Sequence, residues 1–278
     1  MGHGDGVGNE GLMEKWLRLV RLLREKGSVV VLFSGGVDST LLAHAASRAL
    51  GEKAVALTIR SEIEDPSEAS CAPVAAGLIG IRHVILESRD LDLPQIAGNA
   101  PERCYACRKN RDSIALSWAR THGFNEVVDG LSRTDLGEER PGRRASDEDG
   151  IGHPLLDAGL LREEIRQLSR GQGLPGWDRT GSPCLATRFP VGTGLTAEGL
   201  ARVAKAEEAL RNLGFATVRV RSFPGPHAVV ETNDPQRVLA LGDQVLDLLR
   251  KAGFVTVSVD PEGYRRGNMA GLSSSSGP

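Results

Sequence analysis

Apolar residues along the chain follow two spacings, one typical of amphipathic helices and one typical of buried strands. Helical spacing runs from Leu12 to Arg24, and the continuous apolar run at 29–33 predicts a buried strand at 28–33. Three further helix-strand pairs follow, with helices at 39–50, about 66–79 and 107–122 and strands at 54–59, 83–86 and 126–130. This alternation predicts an α/β fold with a doubly wound parallel sheet, whose ligands bind at the carboxyl ends of the strands.

A different order of elements begins after residue 192. The pattern predicts helices at 196–213 and about 235–251 and strands at 216–222, 227–231 and 254–259. This αββαβ order predicts a small α+β domain with an antiparallel sheet. The chain therefore divides into a first domain at 11–192 and a C-terminal domain at 193–267. Disorder is predicted for the Gly-rich start at 1–10 and the low-complexity tail at 268–278.

Composition narrows the classes of partner. The chain has 278 residues, 40% of them hydrophobic, with a formal net charge of -2 and a sequence pI of about 6.3. A near-neutral protein lacks the positive field that binding of large nucleic acids requires. No run of 18 apolar residues predicts a membrane span, and the N-terminus lacks a basic segment followed by an apolar one. The sequence therefore predicts a cytoplasmic protein.

The loop after the first predicted strand has the features of a phosphate-binding loop. It reads Ser34-Gly35-Gly36-Val37-Asp38-Ser39-Thr40 and leads into a predicted helix. Consecutive glycines let a backbone approach an anion, and the N–H groups at the start of a helix face it. The lysine of a Walker-type P-loop is missing, and the glycine spacing differs from that of a dinucleotide loop. An ordinary strand-turn-helix connection is the alternative interpretation.

This loop resembles the PP-loop of ATP pyrophosphatases, which split ATP into AMP and pyrophosphate. The resemblance implies that the loop binds ATP and that Asp38 faces Mg²⁺, directly or through water. A helix N-terminal acid stabilised by the helix dipole is the alternative for Asp38. Thr58 and Gly130 lie at the carboxyl ends of two other predicted strands, and we expect both to line the nucleotide site.

Three of the four cysteines have a spacing that suggests chemistry. Cys104 and Cys107 form a C-x-x-C pair, and Cys184 lies far from them in sequence. Such a pair fits a redox couple, half of a zinc site or part of an iron–sulfur site. Cys71 lies in an apolar run and is interpreted as a small core residue, with a fourth zinc ligand as the alternative.

The motifs together resemble the LarE family of ATP-dependent sulfur transferases of nickel-pincer nucleotide biosynthesis. Beyond the loop, they are Arg103-Cys104-Tyr105-x-Cys107, Asp129-Gly130, Cys184-Leu185-Ala186-Thr187-Arg188 and Val218-Arg219-Val220-Arg221. The resemblance covers nearly the whole chain. Thr187 replaces the usual serine, and Leu131-Ser132 replaces the usual residues after Asp-Gly. The resemblance implies that a carboxylate of pyridinium-3,5-biscarboxylic acid mononucleotide is adenylated and converted to a thiocarboxylate, in two rounds.

The resemblance implies two alternative sources of sulfur. In one, Cys104, Cys107 and Cys184 hold a [4Fe-4S] cluster whose open iron carries an extra sulfide; because all three cysteines are present, this form is our hypothesis. In the other, Cys184 forms a thioester and is consumed, leaving dehydroalanine. Arg188 is a candidate catalytic residue in either case, because its charge could balance an acyl-phosphate or a thiolate. A role in shaping the loop around Cys184 is the alternative for Arg188.

The C-terminal domain carries the remaining candidates. Arg219 and Arg221 are two positions apart on a predicted strand, so both point to one face. The resemblance implies that they hold the phosphate of the substrate, whereas a solvated sheet face is the alternative. Glu207 and Glu231 match acidic residues associated with a second metal. The resemblance also implies homo-oligomers, and sulfur insertion requires a sulfur donor.

Other functions remain open at this point. A tRNA-thiolating PP-loop enzyme also pairs C-x-x-C with a distant cysteine, but the near-neutral charge counts against it. An ammonia-using synthetase gives no role to three cysteines. A non-enzymatic carrier of zinc or an iron–sulfur cluster would keep its function without Asp38 and Ser39.

Overall fold

The computed structural model describes residues 6–137, 141–179 and 181–265, with side chains from residue 11 onward. Its α-helices are α1 (Gly6–Glu25), α2 (Val37–Leu50), α3 (Cys71–Ile79), α4 (Pro94–Ala97), α5 (Arg103–Thr121), α6 (Pro141–Asp149), α7 (Pro154–Asp157), α8 (Arg162–Gly171), α9 (Ala197–Asn212), α10 (Pro235–Ala240) and α11 (Gly242–Ala252). Its strands are β1 (Val29–Leu32), β2 (Ala54–Arg60), β3 (Arg82–Glu87), β4 (Glu126–Val128), β5 (Val218–Phe223), β6 (His227–Thr232) and β7 (Thr256–Val259). None of these helices is both long enough and apolar enough to span a membrane.

The described residues form two compact units, neither of which is continuous in sequence. The first lies within Met1–Arg60, Glu68–Ser88 and Tyr105–Gly181, and the second within Ser61–Ser67, Arg89–Cys104 and Ser182–Pro278. Backbone hydrogen bonds tie the early segments of the second unit to its later part. Leu185 N donates to Ile63 O at 2.8 Å, and Leu195 N donates to Ala97 O at 2.6 Å. The second unit thus includes 61–67, 89–104 and 182–192, which the sequence-based boundary at 192 assigns to the first domain.

The first unit contains a parallel sheet with the strand order β3-β2-β1-β4. Val30 pairs with Val55 of β2 on one side and with Val127 of β4 on the other. The predicted α/β fold with a parallel sheet is confirmed.

Alternate residues of β1 enter two different cores. Val29 and Val31 share one core with Leu19 of α1 and Leu41 of α2. Val30 belongs to the other core, which includes Ala115 of α5. Because helices cover both faces, β1 needs apolar residues at every position rather than at every second one.

The strand order reverses between β1 and β4, which places two loops at one edge. The chain continues from β1 to β2 and β3 on one side, whereas β4 lies on the other side of β1. At such a switch point the connections leave in opposite directions and open a crevice at the carboxyl ends of the strands. The loop at 33–36 and the loop that begins at Asp129 both start at this crevice.

The second unit contains a three-stranded sheet with the order β5-β6-β7. The strands β5 and β6 are antiparallel, but β6 and β7 are parallel. The prediction of an antiparallel sheet is therefore wrong for β7. The helices α10 and α11 return the chain to the starting end of β6, so β7 runs in the same direction. The helix predicted at 235–251 is two helices, because α10 ends at Ala240 and α11 begins at Gly242.

The first helix, α1, begins at Gly6. The disorder that the sequence predicts for residues 1–10 stays a prediction. Leu19 and Leu23 of α1 are completely buried and fix the helix to the first unit. Once a helix is fixed, each added residue gains a hydrogen bond without a new nucleation cost, which lets it extend beyond its buried turns. Residues 1–5 and the predicted disordered tail at 268–278 lie outside the described residues.

Candidate functional site

The loop between β1 and α2 requires glycine at position 35. Gly35 has a φ of 73°, a left-handed conformation that L side chains rarely adopt. A Cβ atom there would lie 2.5 Å from Ala72 N, so the loop packs directly on the first turn of α3. Gly36 follows in an extended conformation and begins α2 without a side-chain cap. The first N–H groups of α2 are thus available to an anion.

Two serines hold this loop in place. Ser39 Oγ accepts a hydrogen bond from Ser34 N at 3.3 Å and donates one to Gly36 O at 3.1 Å. Ser34 Oγ accepts a hydrogen bond from Gly36 N at 3.3 Å. Thr40 is completely buried, and its N–H donates to Gly36 O at 2.9 Å. Serine hydroxyls therefore maintain the curvature that the glycines allow.

Asp38 lies in the first turn of α2 beside a second carboxylate. Arg162 Nη2 lies 3.7 Å from Asp38 Oδ2 and 3.0 Å from Asp135 Oδ1. Asp135 is buried and accepts hydrogen bonds from Ser132 N and Ser132 Oγ. The side chain of Asp38 is 24% exposed. A partly exposed carboxylate at a phosphate loop is a suitable oxygen ligand for Mg²⁺.

Thr58 supports the loop from the neighbouring strand. Its Oγ1 donates to Phe33 O at 2.6 Å and lies 2.8 Å from His83 Nε2. Burial, and then the charge of Arg60, lower the pKa of His83, so the neutral ring donates from Nε2 to Thr58. The hydroxyl of Thr58 is thus engaged by protein groups at the end of β1.

Gly130 brings the loop after β4 into contact with α2. A Cβ atom at Gly130 would lie 3.0 Å from Ser39 N and 3.2 Å from Asp38 C. The preceding residue, Asp129, accepts a hydrogen bond from Leu131 N at 3.0 Å, which fixes the turn around Gly130. The structure therefore brings the candidates at 34–40, Thr58 and Gly130 to one edge of the sheet.

A chain of charged groups supports the buried Asp129, and we did not predict it from the sequence. Asp129 accepts hydrogen bonds from Arg108 Nη2 and His153 Nδ1, both at 2.6 Å. Arg108 Nε lies 2.8 and 2.9 Å from the two carboxylate oxygens of Asp112, and His153 Nε2 lies 3.1 Å from Asp147 Oδ1. The only sequence signal was the position of Asp129 at the end of a strand.

These contacts set the charges of the group. Burial alone would raise the pKa of Asp129, but the hydrogen bond from His153 and the charge of Arg108 hold it below its ordinary value. Burial opposes the charge of His153 as well, yet its two carboxylate partners raise its pKa. His153 therefore favours the imidazolium form and donates from both nitrogens.

In the second unit, the segment around Cys184 is held by its main-chain carbonyl groups. Cys184 is half-buried and precedes a short 3-10 helix, Leu185–Arg188. The Cys184 carbonyl accepts hydrogen bonds from Thr187 Oγ1 at 2.8 Å and from Arg188 Nη1 at 3.2 Å. Arg188 has no exposed side-chain surface. This candidate residue lies beside Cys184 but points into the protein.

Two glutamates join this segment to β5. Glu207 Oε1 and Oε2 accept hydrogen bonds from Arg188 Nε and Nη2 at 2.8 and 2.9 Å. Glu231 Oε2 accepts one from Arg221 Nη2 at 2.6 Å, and Arg221 Nη1 donates to Thr187 O at 3.0 Å. In the structure both carboxylates bind arginine, and their role as ligands of a second metal stays a prediction.

Arg219 completes a cluster of three arginines. Its guanidinium lies 5.5 Å from the centre of the Tyr264 ring, and Nη1 donates to Val218 O at 2.7 Å. Burial, followed by the charge of Arg188, lowers the pKa of Arg219. A cation destabilised in this way attracts an anion.

Cys104 and Cys107 lie one turn apart on α5, so their side chains share a face of the helix. Cys104 is exposed, and Arg103 Nη2 lies 3.6 Å from its sulfur. Cys104 belongs to the same unit as Cys184, whereas Cys107 belongs to the other. Within the described ranges, no group of three or more His, Cys, Asp or Glu side chains could hold a metal ion.

Cys71 is half-buried rather than a core residue, so the interpretation from the sequence is wrong. It begins α3, where Arg179 donates a hydrogen bond to its sulfur and also binds Glu68. The apolar run around Cys71 predicts burial correctly for Ala72, Ala75 and Ala76. Cys71, the first residue of α3, instead contacts the charged side chains of Arg179 and Glu68.

Comparison with known proteins agrees with this arrangement. A family model described as asparagine synthase matches residues 19–110, which include β1, the loop and α2. The pyridinium-3,5-bisthiocarboxylic acid mononucleotide synthase of Lactiplantibacillus plantarum is 34% identical over 264 residues, covering 93% of this chain and 94% of the relative. The chain belongs to the LarE family.

Two uncharacterised proteins are also similar to this chain along most of its length. An uncharacterised protein of Synechocystis is 37% identical over 93% of this chain and 97% of its own length. An uncharacterised protein of Methanocaldococcus jannaschii is 28% identical over 91% of this chain and 98% of its own length. The likeness in each case spans both compact units.

Membership in the LarE family establishes the class of reaction. The chain is an ATP-dependent sulfurtransferase of the PP-loop ATP pyrophosphatase type. At one departure from the family pattern, the hydroxyl of Thr187 donates to the Cys184 carbonyl, a contact that serine could also make. At the other departure, Leu131-Ser132, the hydroxyl of Ser132 donates a hydrogen bond to Asp135 Oδ2 at 2.8 Å.

Proposed function

We propose that this sulfurtransferase adenylates a carboxylate of pyridinium-3,5-biscarboxylic acid mononucleotide and converts it to a thiocarboxylate, with AMP and pyrophosphate as products. The similarity to the pyridinium-3,5-bisthiocarboxylic acid mononucleotide synthase of Lactiplantibacillus plantarum supports this substrate. The observation that carries the proposal is the pair Arg219 and Arg221 on β5, joined to the Cys184 segment through Thr187 O. A pair of arginines that could bind a phosphate and the thiol of Cys184 lie in the same compact unit, an arrangement that suits a mononucleotide that receives sulfur.

In the first step, a carboxylate oxygen of the substrate attacks the α-phosphorus of ATP, and the bond to pyrophosphate breaks. The N–H groups at the start of α2 and the helix dipole stabilise the leaving pyrophosphate. Asp38 would hold Mg²⁺, which neutralises polyphosphate charge when bound. The product is an acyl-adenylate.

The substrate phosphate would bind at Arg219 and Arg221. Arg221 is 5% exposed, and its Nε has no hydrogen-bond partner among the described residues. A buried donor without a partner is costly, and a phosphate oxygen would satisfy it. The lowered pKa of Arg219 indicates the same need for an anion.

The second step needs a sulfur nucleophile, and Cys184 is our candidate. Its thiolate attacks the acyl carbon, the bond to AMP breaks and a thioester forms. Loss of the Cys184 α-proton and cleavage of its Cβ–S bond then release the thiocarboxylate and leave dehydroalanine. A second round on the other carboxylate would need the Cys184 of another, intact chain, because dehydroalanine has no sulfur to transfer.

A [4Fe-4S] cluster on Cys104, Cys107 and Cys184 would replace this consumption of the protein. Three thiols in the chain support the cluster, but the described side chains are not gathered as a metal site requires. The cluster therefore stays a prediction, and so do the sulfur donor and the homo-oligomer.

One assay tests the proposal. The protein is reconstituted anaerobically with iron and sulfide and incubated with Mg-ATP, sulfide and the biscarboxylate mononucleotide. Pyrophosphate, the mass of the substrate and the mass of the Cys184 peptide are followed together. The Arg219→Gln variant should raise the KM for the mononucleotide and leave ATP binding unchanged, with Arg202→Gln on α9 as the control.

The outcomes separate the sulfur sources. Several thiocarboxylates per chain with Cys184 intact would support the cluster, provided that the triple cysteine-to-alanine variant binds no iron. One sulfur per chain, with loss of the mass of H₂S at Cys184, would show that the cysteine is consumed. Pyrophosphate release that does not depend on the mononucleotide would contradict the proposed substrate.

A further inference from the structure

All the donor groups of Arg188 are used by the protein. Besides the two hydrogen bonds to Glu207, Arg188 Nη1 donates to Pro183 O at 2.8 Å, Cys184 O at 3.2 Å and Thr187 Oγ1 at 2.9 Å. Nη2 also lies 3.4 Å from Ser182 Oγ. A guanidinium has five N–H groups, and these contacts engage each of them. No donor remains for an acyl-phosphate.

Glu207, the partner of Arg188, is attached to the strand of the phosphate-binding arginines. Glu207 is completely buried, and its Oε1 accepts a hydrogen bond from Val220 N at 3.0 Å. Val220 lies between Arg219 and Arg221 on β5. The pair Arg188–Glu207 therefore joins the carbonyl groups on both sides of the Cys184 backbone to the centre of this strand.

We infer that Arg188 and Glu207 are positioning residues: they fix the sulfur of Cys184 relative to the arginine pair on β5, without touching the substrate. The inference rests on the proposed function, in which Cys184 carries sulfur to a substrate held by Arg219 and Arg221. Arg188 thus changes from a candidate catalytic residue to the anchor of the Cys184 segment. A buried, bidentate pair suits this role because it holds one geometry rather than many.

The Arg188→Lys variant tests the inference, because lysine keeps the charge but loses the planar fork. We expect pyrophosphate release to stay within about twofold of wild type, since Arg188 contacts neither the ATP-binding loop nor the substrate. Sulfur transferred per pyrophosphate should fall about tenfold, because a misplaced nucleophile reacts slowly. The inference would be overturned if sulfur transferred per pyrophosphate stays at the wild-type value, including the case in which both products fall equally. The Arg202→Lys variant on α9, where the arginine pairs with the exposed Glu198, is the matched control.

A second readout does not depend on the proposed reaction. Alkylation of Cys184 by iodoacetamide, followed by peptide mass, should be about fivefold faster in Arg188→Lys than in wild type, because a released segment opens more often. An unchanged rate would overturn the inference. If wild type makes no thiocarboxylate but the alkylation rates differ as expected, the proposed function fails and the positioning role stands.

Variants at Thr187 keep the test possible if Arg188→Lys does not fold. Thr187→Val removes the hydroxyl that donates to Cys184 O and accepts from Arg188, whereas Thr187→Ser keeps it. Faster alkylation of Cys184 in Thr187→Val and a wild-type rate in Thr187→Ser would support the anchor. Wild-type rates in both variants would contradict it.

Discussion

The nucleotide loop at 34–40 and the Cys184 segment at 182–189 are built by different means. Within the loop, the hydrogen bonds that fix the backbone join residues at most five positions apart, such as Ser34 and Ser39, whereas Thr58 holds Phe33, the residue before the loop. In the Cys184 segment, the fixing contacts come from distant residues, as in Arg188 with Glu207 and Leu185 with Ile63. The loop is therefore a local structure, and the segment exists only within its folded unit.

This difference determines what each region tolerates. A loop fixed by local hydrogen bonds depends on its backbone conformation. We therefore expect substitutions of its glycines to be more damaging than substitutions of its other residues. A segment held by a buried ion pair is sensitive at residues far from it, because removal of one partner leaves a buried charge uncompensated. Four changes test this comparison.

The largest expected effect is in the loop. Gly35→Ala forces a side chain into a left-handed conformation and places its Cβ 2.5 Å from Ala72 N. We expect ATP-dependent pyrophosphate release to fall about 100-fold, because strain of this kind moves the N–H groups that bind the phosphates. The measurement is steady-state pyrophosphate release at saturating ATP.

Gly77→Ala is the matched control for this change. Gly77 lies in α3, the helix on which Gly35 packs, and a Cβ atom there meets nothing within 4 Å. Alanine should stabilise the helix by about 0.5–1 kcal/mol and leave activity unchanged. Comparable losses in the two variants would mean that the loop depends on α3 as a whole rather than on its own backbone.

The next largest effect is in the second unit. Glu207→Gln leaves the buried guanidinium of Arg188 without its counter-charge, and we expect a loss of about 3 kcal/mol in the free energy of unfolding. Urea unfolding followed by far-UV circular dichroism measures it. Tryptophan fluorescence is the internal control, since Trp16, Trp118 and Trp177 all lie in the first unit. A loss below about 1 kcal/mol would show that Glu207 contributes no more than an exposed partner.

The difference between local and distant contacts also explains which structural features the sequence predicts. The apolar run before Ser34 and the glycines after it predict a strand, a phosphate loop and a helix, and the structure has all three in the predicted order. The direction of β7 is wrong in the prediction, because the pattern of a strand is the same whether its neighbour is parallel or antiparallel.

The sequence also does not indicate which side chains of the candidate site form hydrogen bonds with one another. Nothing near Arg188 in the chain indicates that its carboxylate partner is Glu207, and nothing near Asp129 indicates His153 and Arg108. When the sequence is considered alone, an arginine beside a cysteine is compatible with catalysis and with a role in shaping the loop. Burial and the saturation of its donors, which only the fold provides, favour an anchoring role.

A smaller effect concerns the support of Asp129 behind the nucleotide loop. The raised pKa of His153 means that its contribution to stability is complete below its unfolded pKa of about 6.5 and is lost as the pH rises through the folded pKa. His153→Gln should therefore lower the Tm more at pH 6 than at pH 9. Thermal unfolding of both proteins across this range measures the difference.

The exposed His122→Gln variant is the control for this pH dependence. Equal destabilisation by His153→Gln at both pH values would mean that the packing of the His153 ring, rather than its charge, supports Asp129.

The smallest effect comes from an ion pair that matches Arg188–Glu207 in distance but not in burial. Arg202 Nη2 lies 2.9 Å from Glu198 Oε1 on α9, and the side chain of Glu198 is 84% exposed. Glu198→Gln should change the free energy of unfolding by less than about 0.5 kcal/mol, because solvent screens the pair and the free side chains regain entropy. Urea unfolding beside Glu207→Gln gives the comparison directly. A similar loss in both variants would contradict the conclusion that burial, rather than the short distance, makes the segment around Cys184 depend on its partner.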